Sequence, residues 1–351
     1  MRVIQAGVGG FGSSWVYALR DCGYTHVALI DTDPEALCRA GEAVGVPPER
    51  RFTRVEDALE RVDADCFMDV TPPHLHALTT LAALRAGLHV LVEKPMAVSM
   101  TEAQEMVRVA RERKRVLMVT QQFRYYDQPR TVRRLIAEGH IGDVDHVVTE
   151  FQIQGLLFGW RQRMRHPFLM DMAIHHFDLM RYLLHAEARR VMARTWNPTV
   201  SNTQGDMNAF VWFEFDGGVR VNYTGGFASP GCDTGWNGRW VITGTRGTII
   251  WNPRDDWGPI RLFRQNADLS RYTEQTFFTP LPEVWGEPIP AASIGPQGHH
   301  HNLHQWRVCM ESGREPETSG RDNLHTLAMV FATMEAADSR REIAIAHDIE
   351  P

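Results

Sequence analysis

A hydrophobic strand followed at once by a glycine-rich turn opens the chain and constrains its fold more than any other feature. The first twelve residues read MRVIQAGVGGFG, and a helix-like segment, SSWVYALR, follows. The GxGxxG spacing of Gly7, Gly9 and Gly12 suits a tight turn, close approach of a pyrophosphate and tight packing of helix on strand. We predict that this turn, with Gly10 and Phe11, binds a dinucleotide at a helix N-terminus; a purely structural turn is the alternative.

An acidic residue stands where the second strand is expected to end. Asp31 follows Gly12 by about 19 residues, the position from which a carboxylate accepts hydrogen bonds from an adenosine ribose. The same carboxylate would repel the 2′-phosphate of NADP, and the neighbouring Thr32 and Asp33 offer no guanidinium to receive it. The sequence therefore predicts NAD in preference to NADP, with Asp31 and Thr32 among the cofactor-binding residues.

Short apolar runs alternate with helical patterns through the first 121 residues. The runs lie at 3–6, 27–30, 66–70, 90–92 and 116–119. Amphipathic stretches such as 75–85 and 101–113 separate them, and parallel strands need crossovers of this kind. We predict an α/β Rossmann domain over residues 1–122, with a doubly wound parallel sheet.

From about residue 144 the pattern changes to longer alternating segments. They lie at 144–153, 191–196, 209–215, 219–223 and 239–243, with helices near 168–184, 300–312 and 322–339. The turn residues Asp216, Gly217 and Gly218 predict a hairpin over 213–221. We expect residues 123–351 to form an α+β substrate-binding and oligomerisation domain with a large, mostly antiparallel open sheet, and 252–295 to be a long surface connection.

Charge and cysteine usage exclude several classes of protein. The chain carries 37 basic and 43 acidic side chains, a net charge of −6, and has no basic block. We therefore expect no nucleic-acid partner and no membrane partner, and we place the protein in the cytoplasm. The five cysteines are scattered and never form CxxC, which favours reduced thiols over disulfides or a cysteine-bound metal.

Three further segments carry a resemblance to a known family. They are TPPHLHALTTLAALRAGLHVLVEKP at 71–95, QQFR at 121–124 and DMAIHHFDLMRYL at 171–183. With the glycine-rich turn, they resemble the glucose-fructose oxidoreductase and inositol dehydrogenase family, written Gfo/Idh/MocA, over nearly the whole chain. The resemblance implies NAD(P)-dependent chemistry on a sugar, cyclitol or related polyol, and assembly into homodimers or homotetramers.

Lysine is scarce in this chain. Of the 37 basic residues only Lys94 and Lys114 are lysines. Lys94 is expected at the carboxyl end of a parallel strand, where doubly wound sheets place their ligands, and its ammonium can exchange a proton there. The resemblance implies that it contacts the substrate hydroxyl. Lys114 lies among arginines at a helix end and is predicted to belong to a solvated cationic cluster.

The candidate catalytic pair lies four residues apart. Asp171 and His175 share one face of a helix, where a carboxylate can orient an imidazole or a substrate hydroxyl. The resemblance implies that both act with Lys94, and His175 is the leading general base. His176 is the rival, although its side chain points about 100° away around the helix. A structural ion pair is the alternative for Asp171 and His175.

Other positions match motifs that the family places around its ligands. The predicted cofactor-binding residues in these motifs are Thr71, Pro72, His76, Glu93, Lys94 and Gln122. His76 is equally an ordinary helix residue, and Glu93 either orients the nicotinamide end or Lys94, or is a buried acid paired with an arginine. Arg124 either holds substrate oxygens or ties two domains together.

Two regions leave questions open. The family's glycines before the catalytic helix are replaced here by HPFLM at 166–170, and the overlapping loop at 159–168 is rich in arginine. Trp160 of that loop is a predicted substrate-binding residue, although a solvated loop is the alternative. The histidines between His299 and His304 lack a metal-site pattern, and we predict no metal.

The leading hypothesis is an NAD-dependent dehydrogenase that removes a hydride from a sugar, cyclitol or polyol carbon. Two other classes stay open. One is a redox-neutral enzyme that uses NAD transiently to cleave glycosides or drive elimination. The other is a regulator that binds the dinucleotide without catalysis. The presence of Lys94, Asp171 and His175 argues against a pure regulator, because binding NAD needs none of the three.

Overall fold

The structure, a computed structural model, describes residues 1–255, 259–264, 286–347 and 349. The chain divides into two compact units. The first comprises Met1–Tyr126, Ile294–Ala328 and Ala346–Pro351, and the second comprises Asp127–Ser293 and Met329–Ile345. The sequence placed a single boundary after residue 122, close to the first break at Tyr126. No local sequence pattern indicates that residues 294–328 belong to the first unit, because their place there depends on tertiary packing.

The first unit is built on a six-stranded sheet. Its strands are β1 (Arg2–Ala6), β2 (Thr25–Ile30), β3 (Arg51–Phe52), β4 (Cys66–Asp69), β5 (His89–Val92) and β6 (Leu117–Val119). Their order is β3-β2-β1-β4-β5-β6, and every pairing is parallel. This confirms the predicted Rossmann sheet.

Five helices connect these strands. They are α1 (Gly12–Asp21), α2 (Pro34–Val44), α3 (Val55–Arg61), α4 (Pro73–Arg85) and α5 (Met100–Arg113). The Asp33 side chain caps α2 by accepting the Glu35 N–H, and Ser99 caps α5 in the same way. Lys114 ends α5 in the left-handed conformation, at φ 53°.

The second unit is built on a larger sheet. Its strands are β7 (Val144–Gln152), β8 (Ala188–Trp196), β9 (Asn208–Phe215), β10 (Arg220–Gly226), β11 (Arg239–Gly244), β12 (Gly247–Trp251), β13 (Ile260–Arg264), β14 (Glu287–Pro288) and β15 (Ile343–Ala344). Their order is β14-β13-β12-β11-β7-β10-β9-β8-β15. Only the β7–β10 pairing is parallel among the described strands. The predicted mostly antiparallel sheet is therefore confirmed.

The predicted hairpin is present between β9 and β10, where Phe213 pairs with Val221. Its turn contains Gly217 and Gly218 at φ 72° and 78°, a region that glycine enters without steric cost. The connection predicted over 252–295 is wrong in part, because β13 and β14 add to the sheet edge there. Two parts of that range, 256–258 and 265–285, lie outside the described residues.

Four helices complete the described fold. They are α6 (Asp127–Ala137), α7 (Ile174–Leu184), α8 (Gly298–Ser312) and α9 (Gly320–Ser339). In the first unit, Leu303 and Trp306 of α8 are fully buried in one core with Trp15 and Leu19 of α1. Within the described ranges, no helix has the length and apolar character needed to span a membrane.

Candidate active site

The glycine-rich turn follows β1 and leads into α1 of the first unit. Gly7 has φ 80°, and a Cβ there would lie 2.3 Å from the Val70 carbonyl oxygen. A Cβ on Gly12 would lie 2.2 Å from the Gly7 oxygen. At Gly9 the nearest atoms would be 3.6 Å away, so protein packing does not demand a glycine there. The predicted close approach of a pyrophosphate would require a glycine there, and the turn fits a dinucleotide.

A buried glutamine holds this turn from within β1. Gln5 donates its amide N–H groups to the carbonyl oxygens of Gly7 and Gly12, at 3.0 and 2.9 Å. Its own carbonyl lies 3.1 Å from Nε2 of buried His26. Burial lowers the pKa of His26 to about 4, so its ring is neutral at pH 7. Gln5 was missed from the sequence, although a lone polar residue inside a buried strand calls for a partner of this kind.

Asp31 lies at the end of β2 beside the same turn. One carboxylate oxygen accepts the N–H groups of Val8 and Gly9, at 2.8 and 3.0 Å. The other accepts the N–H of Asp33 at 3.0 Å. Asp31 is half-buried and the neighbouring Thr32 is exposed. The carboxylate thus sets the backbone of the turn, and the oxygen that accepts only the Asp33 N–H has a further lone pair suited to a ribose hydroxyl.

The segment after β4 forms a second turn at the same sheet edge. Asp69, fully buried, accepts the Thr71 backbone N–H and hydroxyl with one carboxylate oxygen. Pro72 then precedes α4. Inside α4, His76 is fully buried, with its ring nitrogens 2.7 Å from the Thr71 carbonyl oxygen and 2.8 Å from that of Pro95. His76 therefore links the turn after β4 to the turn after β5. It would influence a ligand by positioning these two turns.

Glu93 fixes the backbone that carries Lys94. The buried Glu93 carboxylate accepts the Trp15 indole N–H at 2.9 Å and the Lys94 backbone N–H at 2.9 Å. The Thr120 hydroxyl lies 3.2 Å from the same Lys94 nitrogen. Lys94 itself is half-buried, directly after β5. Of the two alternatives for Glu93, the contacts favour orientation of Lys94, and its described hydrogen-bond partners include no arginine.

Buried amides and a buried guanidinium follow β6. Both polar side-chain atoms of Gln121, and Oε1 of Gln122, are buried without a hydrogen-bond partner among the described residues. Arg124 donates to the Asp322 carboxylate at 2.8 Å and to the Glu317 carbonyl oxygen at 3.3 Å. These contacts lie within one unit and tie the segment after β6 to the start of α9. A substrate role for Arg124 stays a prediction.

In the second unit, Asp171 lies in a π-helical turn, Leu169–Ala173, directly before α7. Its carboxylate is largely buried, and both oxygens are 3.4 Å from the Arg161 guanidinium. That guanidinium stacks over the Trp160 ring, 4.4 Å from its centroid. Arg161 thus contacts both Trp160 and Asp171, and a substrate-binding role for Trp160 stays a prediction. π-Helical turns are frequent at functional sites.

The structure distinguishes the two adjacent histidines of α7. His176 is fully buried, with Nδ1 2.8 Å from the Tyr223 hydroxyl and Nε2 2.9 Å from the Trp236 carbonyl oxygen. Burial lowers its pKa to about 4. A neutral ring donates to the carbonyl and accepts from the tyrosine, which leaves no nitrogen lone pair for a substrate proton. His175 is also buried, and its role as the general base stays a prediction.

Phe168, in the segment that replaces the family's glycines before α7, packs against aromatic side chains of the sheet. Phe168 stacks on Phe151 and Tyr223, with ring centroids 6.0 and 6.2 Å apart. A Cβ on Gly225 of β10 would lie 2.2 Å from the Phe168 ring. The glycine that leaves space for the Phe168 ring is therefore Gly225 on β10. The segment 166–170 before α7 contains no glycine.

The two neutral buried histidines predict that acid destabilises the fold. His26 and His176 have folded-state pKa values lowered to about 4 from an ordinary 6.5. Their contribution is present above pH 6.5 and is lost as the pH falls towards 4, because only the unfolded chain takes up the proton. Between pH 7 and pH 5 each should reduce the free energy of unfolding by about 2 kcal/mol. Urea titrations at the two pH values measure this.

His26→Gln keeps a side-chain N–H for Gln5 but cannot titrate, so it should lose less stability than wild type over the same pH interval. His74→Gln is the control, since His74 is exposed at the start of α4. Equal acid losses in both variants would show that His26 does not contribute.

The histidines of α8 take separate positions in the first unit. His299 packs on Trp15, with ring centroids 4.1 Å apart, and His301 stacks on Tyr125 at 4.6 Å. Burial lowers the pKa of His299. Across the described ranges, no three histidine, cysteine, aspartate or glutamate side chains gather in a geometry that could hold a metal ion.

Comparisons with known proteins agree with this arrangement. A family model described as "Oxidoreductase family, NAD-binding Rossmann fold" matches residues 1–121, and one described as "GFO/IDH/MocA C-terminal domain" matches residues 130–250. The y4oX protein of Sinorhizobium fredii is 30% identical over 95% of this chain and 93% of its own length. D-apiose dehydrogenase of Paraburkholderia graminis is 29% identical over 97% of this chain and 88% of its own length.

Solved structures share the fold. An oxidoreductase from Agrobacterium radiobacter, in complex with NAD+, L-tartaric acid and magnesium, superposes with a TM-score of 0.83 at 22% identity, covering 98% of each chain. Levoglucosan dehydrogenase in complex with NADH gives a TM-score of 0.80 at 20% identity, covering 99% of each chain.

Proposed function

This chain belongs to the Gfo/Idh/MocA family of oxidoreductases with an NAD-binding Rossmann domain, and from that premise we propose that it oxidises a hydroxyl of a sugar, cyclitol or related polyol. Homologues over most of its length include a D-apiose dehydrogenase and a 1,5-anhydro-D-fructose reductase. Both are named for redox chemistry on carbohydrates, which supports this substrate class.

The observation that carries the proposal is the fixed position of Lys94. The turns after β1, β4 and β5 lie at one edge of a parallel sheet, where such sheets bind their ligands. Glu93 and Thr120 hold the Lys94 backbone from two sides. A side chain placed this way can meet a substrate beside a dinucleotide, whereas NAD binding alone would not need an ammonium there.

We assign the proton chemistry to three residues. Bound NAD supplies the acceptor for the hydride that leaves the substrate carbon. His175 accepts the hydroxyl proton, and the Lys94 ammonium stabilises the developing alkoxide. Asp171, held by Arg161, orients the substrate hydroxyl or the His175 imidazole. Trp160 and Arg124 are the proposed further substrate contacts.

The cofactor preference gives a direct prediction about Asp31. Asp31→Ser removes the proposed ribose acceptor and the acceptor of the Val8 and Gly9 N–H groups. We expect the dissociation constant of NADH to rise about tenfold or more, since hydrogen bonds to charged groups contribute roughly 1.5–3 kcal/mol. Fluorescence titration with NADH measures it. Asp21→Ser removes an exposed carboxylate from the same unit and should leave NADH affinity unchanged; equal affinities in the two variants would refute the role of Asp31.

A panel assay tests the function as a whole. Purified protein is incubated with NAD and individual sugars, cyclitols and polyols, and NADH is followed by its absorbance. Net NADH formation with at least one compound is the expected result. Substrate cleavage or elimination without net NADH would favour the redox-neutral alternative. NAD binding with neither activity would favour a regulator.

We also propose that the chain acts in the cytoplasm as a homodimer or homotetramer. In support of the assembly, one face of the second unit's sheet exposes apolar side chains. Cross-strand register places Val148, Trp212 and Met192 in one row, and Phe210 lies on the same face. Val148, Met192 and Phe210 are more than two-fifths exposed. Light scattering on the purified protein would return a dimer or tetramer mass; a monomer would contradict the assembly.

A further inference from the structure

The first unit contains a cavity away from its dinucleotide-binding edge. It has a volume of about 630 Å³ and is lined in part by His89 and Val116, at the amino ends of β5 and β6. All six strands of the sheet are parallel, and the glycine-rich turn follows the carboxyl end of β1. The cavity therefore lies at the opposite edge of the sheet from the proposed cofactor and Lys94.

Cationic side chains surround this cavity. They are Arg111, Lys114, Arg115, Arg314 and Arg321. The lining contains one carboxylate, Glu315, which already pairs with Arg321 through two hydrogen bonds of 3.0 and 2.7 Å. Within the described part of the chain, the other four cations have no carboxylate at ion-pair distance. A chain of net charge −6 thus concentrates uncompensated positive charge at one concave site.

Helix electrostatics explains only part of this cluster. Arg111, Lys114 and Arg115 lie at the carboxyl end of α5, where cations interact favourably with the helix dipole. Arg314 and Arg321 come from a distant part of the sequence and line the same cavity. The convergence of two separate segments needs a further reason, and binding of an anion supplies one.

The cavity is built on fixed backbone. The segment before α9 is bound to β6, because Val119 donates its N–H to the Thr318 carbonyl oxygen at 2.8 Å and the Thr318 hydroxyl donates back to Val119. Gly320 packs so closely that a Cβ would lie 2.7 Å from the Leu117 side chain. The guanidinium-bearing segments are therefore held in place without a ligand.

The chemistry of the lining indicates what would bind. Val107, Ala110 and Leu117 are buried and give the cavity an apolar floor. Val116 donates its N–H to Nδ1 of His89 at 3.0 Å, so the neutral ring carries its proton on Nε2 as a further donor. Guanidinium groups pair with phosphate and carboxylate groups through two parallel hydrogen bonds.

We propose that this cavity is a second ligand site, which binds a small organic polyanion carrying phosphate or carboxylate groups. Its charged groups contact the arginines and Lys114, and its carbon skeleton rests on the apolar floor. The site is separate from the dinucleotide turn and does not depend on the proposed dehydrogenase activity.

Calorimetric titration of the full chain, saturated with NADH, tests this with pyrophosphate and citrate as probes. We expect saturable binding of at least one probe, and the tighter of the two identifies phosphate or carboxylate as the recognised group. The variant R111A/R115A/R314A should bind that probe about tenfold or more weakly, since it loses charge-assisted hydrogen bonds to the ligand. Its NADH affinity should not change.

The control R20A/R39A/R54A removes the same charge from exposed, ion-paired arginines of the same unit. It should bind the probe as wild type does. Equal weakening in both triple variants would show a diffuse charge effect and overturn the site. So would the absence of saturable binding, or binding that occurs only without NADH.

Discussion

Replacing Lys94 with Met is expected to reduce turnover about 10²- to 10³-fold, the size of effect seen when a group that stabilises a developing oxyanion is removed. The ammonium is proposed to act mainly on the substrate hydroxyl, whereas the glycine-rich turn and Asp31 are proposed to hold most of the dinucleotide. NADH affinity should therefore remain within a few-fold of wild type. Initial rates on a panel substrate and fluorescence titration with NADH measure the two quantities separately.

The chain supplies its own matched control for this experiment. Lys114→Met alters the only other lysine, at the opposite edge of the same sheet, and should leave turnover unchanged. Lys94→Arg keeps the charge but cannot exchange a proton, so it separates electrostatic stabilisation from proton transfer. Full activity in Lys94→Met would refute the role of this residue.

His175→Gln is expected to lower kcat about 10²- to 10⁴-fold, the usual contribution of a positioned general base. In the wild-type enzyme the rate should fall towards acidic pH, because a protonated imidazole cannot accept the hydroxyl proton. This fall is the acidic limb of the pH profile, and it should be absent from the residual rate of His175→Gln. A pH profile of kcat for both proteins is the measurement.

His176→Gln is the neighbouring comparison. His176 is neutral and fully engaged by Tyr223 and Trp236, so its replacement should reduce the free energy of unfolding and leave the acidic limb in place. If the limb disappears in His176→Gln and persists in His175→Gln, the assignment of the base is wrong.

Local sequence signals predicted the parts of the fold that local physics determines. The strand, glycine turn and helix at the N-terminus follow from backbone requirements at Gly7 and Gly12, which leave no space for a Cβ. The β9–β10 hairpin follows from two glycines that need positive φ. The strand before Lys94 is a short apolar run, and β5 has the predicted extent to within one residue.

Contacts between distant residues escaped prediction. Nothing near Glu93 indicates that the Trp15 indole will donate to it, and nothing in α8 indicates that Leu303 and Trp306 complete the core of the first unit. The π-helical turn at Asp171 also escaped, and so did the packing of Phe168 against Gly225, which are distant in the sequence. Sequence motifs therefore identified the candidate site residues. The contacts that hold those residues in place are seen only in the structure.

Transfer of deuterium from substrate to cofactor tests the central claim most directly. A substrate identified by the panel is prepared with deuterium on the carbon to be oxidised and incubated with the protein and NAD. Mass spectrometry of the nicotinamide product should show one deuterium for each molecule of ketone or aldehyde formed. Substrate consumption with no deuterated NADH accumulating would contradict the account, because the reaction would then not be a net oxidation by NAD.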